Sequence, residues 1–174
     1  MDDPLFRFMM PSERSRFAWL RWFHRRALGE CHRAGGALAI DRDGELAGAT
    51  GFYPPGKWPP PIGSLLASVP MLPFPYLLPP PRLATVGLRI EHRMSRVHPP
   101  EPHLYLYVLG VHPRAKGKGF GGTLLREIAR RAGDARSHLE TANPVNVPLY
   151  RKFGFEISST IEVGDAPPLW TMTT

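Results

Sequence analysis

The pattern of apolar and polar residues is clearest near the middle of the chain. Residues 103–111 form an uncharged run rich in β-branched and aromatic side chains, which predicts a strand, and Pro113 ends it. Residues 116–122 read Lys-Gly-Lys-Gly-Phe-Gly-Gly. From Thr123 onwards the apolar positions follow a helical period, and Gly133 marks the end of this helix. Its predicted inward face consists of Leu124, Leu125, Ile128, Ala129 and Ala132.

The segment before this region contains a predicted helix and a predicted β-hairpin. In residues 14–33 apolar side chains recur at helical spacing and arginines occupy the opposite face, which indicates an amphipathic helix. Residues 35–40 and 45–53 read as strands, and the Asp-Gly pair between them is typical of a hairpin turn. The apolar face of the helix consists of Phe17, Leu20, Phe23 and Ala27.

The segment after the central helix predicts further strands. Residues 137–142 read as a strand, and because a helix connects it to residues 103–111, the two strands should be parallel neighbours. A turn at residues 143–146 leads into a short helix, and residues 155–163 and 169–173 predict a final hairpin. The short helix carries Leu149, Tyr150 and Phe153 and ends at Gly154.

The glycine-rich segment has the character of an anion-binding loop. Glycines lack Cβ atoms, so successive backbone N–H groups can converge on a phosphate, and the following helix adds free N–H groups and the positive end of its dipole. Four glycines within six residues, directly before a helix, favour phosphate binding over a tight turn without a ligand. The segment comprises Lys116, Gly117, Lys118, Gly119, Phe120, Gly121, Gly122 and Thr123.

Two nucleotide-binding motifs fit this segment poorly. The phosphate-loop pattern GxxxxGK[ST] fails because Thr123 stands where its lysine should be. The dinucleotide pattern GxGxxG matches three of the glycines. However, five residues separate Val111 from Gly117, whereas a Rossmann strand leads almost directly into its first glycine. Only one further βα unit follows, which is too little for a doubly wound sheet.

Composition narrows the class of protein. The 174 residues suit a single domain spanning residues 1–174, which can bury roughly 70% of its unfolded surface. A lone cysteine, Cys31, excludes an internal disulfide, and no cysteine–histidine spacing indicates a zinc site, so no metal is expected. The N-terminus is acidic and has no signal-peptide pattern, so a cytoplasmic protein is expected.

The formal net charge of +7 does not by itself identify a partner. Residues 14–33 come closest to a basic stripe with interleaved aromatic side chains, but their helical apolar face argues against nucleic-acid binding. Residues 62–80 contain five prolines and cannot form a regular membrane helix, so no membrane partner is expected. The whole stretch 54–102 is rich in proline, although residues 83–97 fit a helix with Leu88 and Met94 turned inward.

The central strand, loop and helix resemble the acetyl-CoA-binding motif of the GNAT superfamily of N-acetyltransferases. That motif, Q/R-x-x-G-x-G/A, follows a strand that ends in a hydrophobic-Gly-Val turn, here Leu109-Gly110-Val111. Two registers satisfy the letters. The register from Arg114 to Gly119 would leave glycines where the helix should already run. We therefore favour the register from Lys116 to Gly121, in which lysine keeps the charge but loses the planar, forked hydrogen bonding of arginine.

Residues 139–155 resemble the second motif of these enzymes and are most similar to the branch that includes puromycin N-acetyltransferase. The resemblance implies a GNAT fold, an α/β fold with a mixed central sheet and flanking helices. Relative to that branch the chain lacks the first strand and helix, which would leave residues 35–40 as an exposed sheet edge. We expect either a start codon upstream of Met1 or a partner over this edge, such as a second copy in a homodimer.

The resemblance also implies the roles of individual residues. Acetyl-CoA would be the cosubstrate and the amine of a small molecule the acceptor, with residues 54–102 covering the acceptor pocket. Tyr150 would be the general acid that protonates the departing thiolate. Backbone groups of Leu109 and Val111 would pair with the pantetheine arm, and residues 116–123 would bind the pyrophosphate.

Some roles stay open at this point. Asn143 and Asn146 are candidates for CoA contact, but either can cap the following helix, and the cap is preferred for Asn146. Glu140 and His103 are the candidate general bases, and water relayed between them would also serve. A non-catalytic acyl-CoA-binding module and acylation of a protein or peptide amine are the alternative functions.

Overall fold

A computed structural model of the protein describes residues 3–60 and 81–174. The described helices are α1 (Pro4–Met9), α2 (Glu13–Arg33), α3 (Pro81–Val97), α4 (Phe120–Ala132) and α5 (Val147–Arg151). The strands are β1 (Ala37–Arg42), β2 (Glu45–Tyr53), β3 (Leu104–Val111), β4 (Ser137–Thr141), β5 (Glu156–Ile161) and β6 (Leu169–Thr173). Every strand predicted from the sequence is therefore confirmed, with ends that differ by two residues or fewer.

The six strands form one mixed sheet in the order β1-β2-β3-β4-β6-β5. Neighbouring strands are antiparallel except β3 and β4, which are parallel as the intervening α4 requires. The predicted α/β architecture, a mixed central sheet with flanking helices, is confirmed. Among the described residues, two helices and no strand precede β1, and β1 lies at one edge of the sheet, where it pairs with β2.

The two parallel strands separate partway along their length. Their pairing extends only from Leu104 with Ser137 to Leu106 with Leu139. Beyond Leu106, β3 continues to Val111, but its backbone has no described strand on the β4 side. A cleft opens where the strands diverge, and it positions the site described below.

The β1–β2 hairpin shows how local sequence forms this sheet. Asp43 and Gly44 have φ values of 56° and 80°, the left-handed pair that a type I′ turn requires. The Asp41 side chain accepts a hydrogen bond from the Gly44 N–H at 3.1 Å. These features explain why an Asp-Gly pair predicted the turn correctly.

Residues from two apolar clusters line the cleft. The first packs α4 against the sheet, and the second packs α1 and α3 against the C-terminal strands. The first contains Leu104, Leu106, Leu125, Ile128, Leu139 and Met172, and the second contains Leu5, Met9, Ile90, Ile161 and Val163.

Three predicted inward positions are wrong. Phe17 on α2 is 48% exposed, Leu88 on α3 is 71% exposed, and Ala129 on α4 is exposed. Each helix contacts the sheet along a narrower line than its apolar pattern indicates, so residues at the margin of the pattern remain in solvent. On α3 the inward positions are Ile90 and, in part, Met94, and the latter agrees with the prediction.

Residues 61–80, which hold part of the proline-rich stretch and the run that was predicted to be incompatible with a membrane helix, lie outside the described residues. Within residues 3–60 and 81–174, no helix combines the length and the apolar character needed to cross a membrane.

Candidate active site

The glycine-rich loop leads from β3 into α4 through two left-handed residues. Gly117 and Gly119 have φ values of 76° and 85°, a conformation that a Cβ atom disfavours. Gly122, in the first turn of α4, has a different role. A Cβ atom there would lie 3.3 Å from Cζ of Phe153, so this glycine permits close packing.

Helix α4 begins at Phe120, with Gly119 as its N-cap, three residues earlier than predicted. The predicted start at Thr123 is wrong because Gly121 and Gly122 are poor helix formers in isolation but are held in the first turn by packing against α5 and the residues that follow it. The early start of α4 also removes the objection to the motif register from Arg114 to Gly119, because the glycines after Gly119 do lie inside the helix. Arg114-x-x-Gly117-x-Gly119 ends where the helix begins, which favours Arg114 over Lys116 at the motif's first position.

Polar groups at this helix start are free to receive an anion. The first intrahelical bond runs from the Thr123 N–H to the Gly119 oxygen at 3.0 Å, so the N–H groups of Phe120, Gly121 and Gly122 precede it. No side chain of residues 3–60 or 81–174 caps the helix. The exposed side chains of Arg114, Lys116 and Lys118 surround the loop with positive charge.

The free edge of β3 connects the loop to the cleft. His112 donates its N–H to the Ala47 oxygen on β2 at 2.8 Å. Because hydrogen-bonding direction alternates along a strand, the backbone groups of Val111 and Leu109 are directed to the opposite edge, beside the cleft. Both residues named from the sequence therefore lie where an extended chain could add to the sheet.

Tyr150, on α5, lines the cleft together with residues from α1, α3, β3 and β4, and the cleft has a volume of ≈ 340 Å³. Among the described residues no hydrogen bond to its hydroxyl is present, and burial raises its pKa from 10.0 to about 12. A Cβ atom on Gly121 would lie 3.7 Å from Val111 and 3.9 Å from Leu149, the residue before Tyr150. The start of α4, the free edge of β3 and α5 therefore lie close together, and the last two contribute Leu109 and Tyr150 to the cleft.

Among the described residues, Asn146 does not make the capping bond that was preferred for it, whereas Asn143, whose role was left open, does form a cap. Asn143 accepts a hydrogen bond from the Val145 N–H at 3.1 Å and caps the short 3₁₀ turn before α5. Asn146 occupies the N-cap position of α5, but its side chain makes no capping bond. Its amide instead donates to Thr141 Oγ1 at 3.5 Å, and the residue lines the cleft.

Glu140 lies on β4 between the cleft and a buried group of histidines. Its Oε2 accepts a hydrogen bond from the Tyr105 hydroxyl at 2.7 Å, and its Oε1 lies 3.0 Å from Nε2 of His138. Although burial acts to raise the pKa of this carboxyl, hydrogen bonds from His138, His98 and Tyr105 lower it from 4.5 to about 2. So weakly basic a carboxylate is a poor proton acceptor.

His103 does not meet Glu140 directly. Its Nδ1 lies 2.7 Å from the Glu101 oxygen, and its Nε2 lies 3.0 Å from Nε2 of His98. It lines a second cavity of ≈ 490 Å³, beside the cleft, together with Trp58 and Tyr105. Burial lowers the pKa of His103 below its usual value, so the ring is neutral at neutral pH.

Glu91 is a site residue that the sequence analysis missed. It projects from α3 and lines both the cleft and the second cavity. Desolvation and the negative charge of Glu140 raise its pKa, whereas His98 acts in the opposite direction. Because α3 was predicted from its apolar positions, nothing in the local pattern distinguished this carboxylate from other polar residues on the same helix.

Comparison with known proteins agrees with this geometry. Residues 81–155 match the sequence model of the Acetyltransferase (GNAT) family. Over 82 residues the chain is 35% identical to a mycothiol acetyltransferase of Mycobacterium sp. (strain JLS), and a second mycothiol acetyltransferase from strain MCS matches equally. The match covers 42% of this chain and 27% of the relative, so the chain spans about a quarter of the length of these curated relatives.

Solved structures share the fold over nearly the whole chain. A structure described as histone acetyltransferase HPA2 and related acetyltransferase, from Corynebacterium glutamicum, has a TM-score of 0.65 at 24% identity and covers 99% of this chain and 82% of that one. Arylalkylamine N-acetyltransferase 2 from Aedes aegypti has a TM-score of 0.64 at 13% identity, with 99% and 87% covered. The chain therefore has the GNAT fold, and the predicted superfamily is supported.

Proposed function

We propose that this protein is an acetyl-CoA-dependent N-acetyltransferase that moves the acetyl group directly to a primary amine of a small molecule. The observation that carries the proposal is the cleft between the diverging strands β3 and β4, with Tyr150 among the residues that line it. The match of residues 81–155 to the GNAT family and the partial likeness to mycothiol acetyltransferases support it.

Acetyl-CoA would bind along the free edge of β3. The pantetheine arm would pair with the backbone of Leu109 and Val111 as an added strand. The pyrophosphate would then reach the N–H groups at the start of α4, where the helix dipole and Arg114 favour negative charge. A backbone N–H of the same edge would polarise the thioester carbonyl.

Tyr150 would donate a hydrogen bond to the sulfur as the thiolate departs. With a pKa of about 12, the phenol is fully protonated at neutral pH. Full proton transfer to a thiolate whose conjugate acid has a pKa near ~8.5 would be uphill by about 5 kcal/mol. The hydroxyl therefore acts mainly by stabilising the developing charge, and the proton released by the attacking amine neutralises the thiolate.

The acceptor amine would enter between α3 and β3. Glu91 faces both cavities there, and its carboxylate would bind the ammonium form and receive its proton through water. Glu140, with its low pKa, would instead orient neighbouring groups. Since α3 belongs to the stretch 54–102, this placement supports the proposal that the stretch covers the acceptor pocket.

The finer assignments also remain proposals. Five of them rest on the sequence alone. They are membership of the branch that includes puromycin N-acetyltransferase, a single domain over residues 1–174, a cytoplasmic location, a homodimer that covers β1, and the absence of nucleic-acid or membrane partners. The relatives differ in their named activities, so the acceptor is proposed only as a small primary amine.

The proposal is tested by following release of the CoA thiol from acetyl-CoA with a panel of small primary amines and an N-terminal peptide, alongside calorimetry of CoA binding. We expect CoA binding and thiol release that depends on a small amine. Binding without release for any acceptor would instead favour a non-catalytic acyl-CoA-binding module. Release with the peptide alone would favour a protein or peptide acceptor, and a folded protein that does not bind CoA would refute both enzymatic forms.

A further inference from the structure

A buried group of histidines lies beside the proposed transfer site and is not used by it. His98 follows the end of α3, whereas His138 and Glu140 lie on β4. Their nitrogen and carboxylate ligand atoms all lie within 4.8 Å of one another. The His138 side chain is fully buried, and those of His98 and Glu140 are only 13% and 8% exposed.

We propose that His98, His138 and Glu140 bind one divalent transition-metal ion, with zinc as the ion that fits best. Glu140 Oε1 lies 3.0 Å from His138 Nε2 and 3.8 Å from His98 Nδ1. Ligands at ~2.0–2.1 Å around a tetrahedral ion lie about 3.3 Å apart. Two of the three separations therefore lie within about half an ångström of the spacing that a bound ion requires.

Each ligand is held by a hydrogen bond on its other polar atom. His138 Nδ1 lies 3.2 Å from Thr173 Oγ1, and Glu140 Oε2 accepts from the Tyr105 hydroxyl at 2.7 Å. His98 Nε2 lies 3.0 Å from His103 Nε2. Side chains that bind a metal usually have such a hydrogen-bond partner on the atom that does not face the metal. The partner fixes the orientation of the side chain and, for an imidazole, the tautomer.

Proton positions around His98 give an independent reason for a cation. His103 Nδ1 faces the Glu101 carbonyl oxygen and must donate to it, so the Nε2 of a neutral His103 is an acceptor. His98 then donates from Nε2, so its Nδ1, 3.8 Å from Glu140 Oε1, carries either a proton directed at the carboxylate or a lone pair that faces it. Both cases place positive charge beside Glu140: a protonated imidazole in the first, and a metal ion between two acceptors in the second.

The donor set selects the class of ion. Two imidazoles with one carboxylate suit zinc and other transition metals, whereas magnesium and calcium prefer oxygen ligands alone. His98 also lines the second cavity, which gives an ion a path from solvent. The bound ion would join the C-terminal end of α3 to β4 and so fix the wall that the two cavities share.

The test uses the full chain after removal of any histidine tag. Zinc content is measured by mass spectrometry after dialysis, and affinity is measured by competition with a chromophoric chelator. We expect about one zinc per chain, and His98→Ala should weaken binding by at least ~100-fold. His92→Ala, which removes an exposed histidine of α3 outside the cluster, is the matched control and should bind as the parent does.

Two further readouts keep the test decisive if a variant folds poorly. Tyr105→Phe removes only the hydrogen bond to Glu140 and should weaken zinc binding by roughly 10-fold. Cobalt bound in place of zinc should give visible absorption bands that are typical of a cobalt ion with a low coordination number. A folded parent protein that binds no zinc at micromolar free metal would overturn the proposal in favour of an extra shared proton, and equal affinity in His98→Ala would also overturn it.

Discussion

Among the described residues, the start of α4 and the histidine cluster (His98, His103, His138 and Glu140) are two polar regions that are built in opposite ways. At the start of α4, the first backbone N–H groups have no acceptor in the described part of the chain, and the basic side chains there are exposed. In the cluster, Glu140 is bound by Tyr105 and His138, and His103 is bound at both ring nitrogens. The first region is open to solvent, and the second is buried.

This difference indicates what each region contributes. Free donors at an exposed helix start cost little, because water satisfies them until an anion replaces it. Buried charges are expensive unless they are paired, so the cluster contributes to stability and to the placement of α3 against β4. We therefore expect substitutions in the loop to change ligand binding and substitutions in the cluster to change folding.

The largest expected effect is on stability, from Glu140→Ala. This change leaves the buried Tyr105 hydroxyl and His138 without their acceptor, and should lower the free energy of unfolding by about 3–5 kcal/mol. Glu156→Ala, at an exposed ion pair, is the control and should change it by less than about 0.5 kcal/mol. Urea unfolding measures both, and a loss below about 1 kcal/mol in Glu140→Ala would remove the contrast between the regions.

Gly119→Ala should weaken CoA binding by roughly 20-fold, which corresponds to about 1.8 kcal/mol. The φ of 85° at this position opposes a Cβ atom, so the loop would leave the conformation that presents the α4 amides. Gly44→Ala is the matched control, because its φ of 80° imposes the same strain in the distant hairpin. Calorimetry should show that only the loop variant loses affinity; equal losses would mean that the loop does not bind CoA.

Tyr150→Phe should lower kcat by at least ~10-fold with CoA affinity nearly intact, because only the hydroxyl is removed. Since the pKa of Tyr150 is raised to about 12, the parent enzyme should show no loss of kcat from ionisation of this phenol between about pH 7 and pH 10. Steady-state kinetics across this range measures both effects. Unchanged kcat in the variant would exclude Tyr150 from the reaction.

The smallest expected effect distinguishes the two motif registers. Arg114→Ala should weaken CoA binding by about fivefold, because a forked guanidinium contact to phosphate is lost. Lys116→Ala should weaken it by less than about twofold, as for a solvated lysine near the ligand. A larger effect at Lys116 would restore the register that we preferred from the sequence.

The sequence predicted those parts of the site that depend on neighbouring residues. An uncharged run rich in β-branched and aromatic residues identified β3, the crossover through a helix placed β4 beside it, the Asp-Gly pair identified the hairpin, and the glycine-rich loop was located before a helix. The start of that helix was placed too late, because propensity alone cannot show that Gly122 must lie against Phe153. The role of Asn146 was also misjudged, since capping depends on side-chain orientation.

The chain by itself therefore determined the order of the elements, the parallel crossover through α4 and the resemblance to GNAT enzymes, because each depends on short-range pattern and spacing. Only the tertiary structure decided that His98, His138 and Glu140 come together, since forty residues separate the two histidines and no spacing rule joins a helix end to a distant strand. It also decided the separation of β3 from β4 and the position of Glu91, because packing between elements determines both.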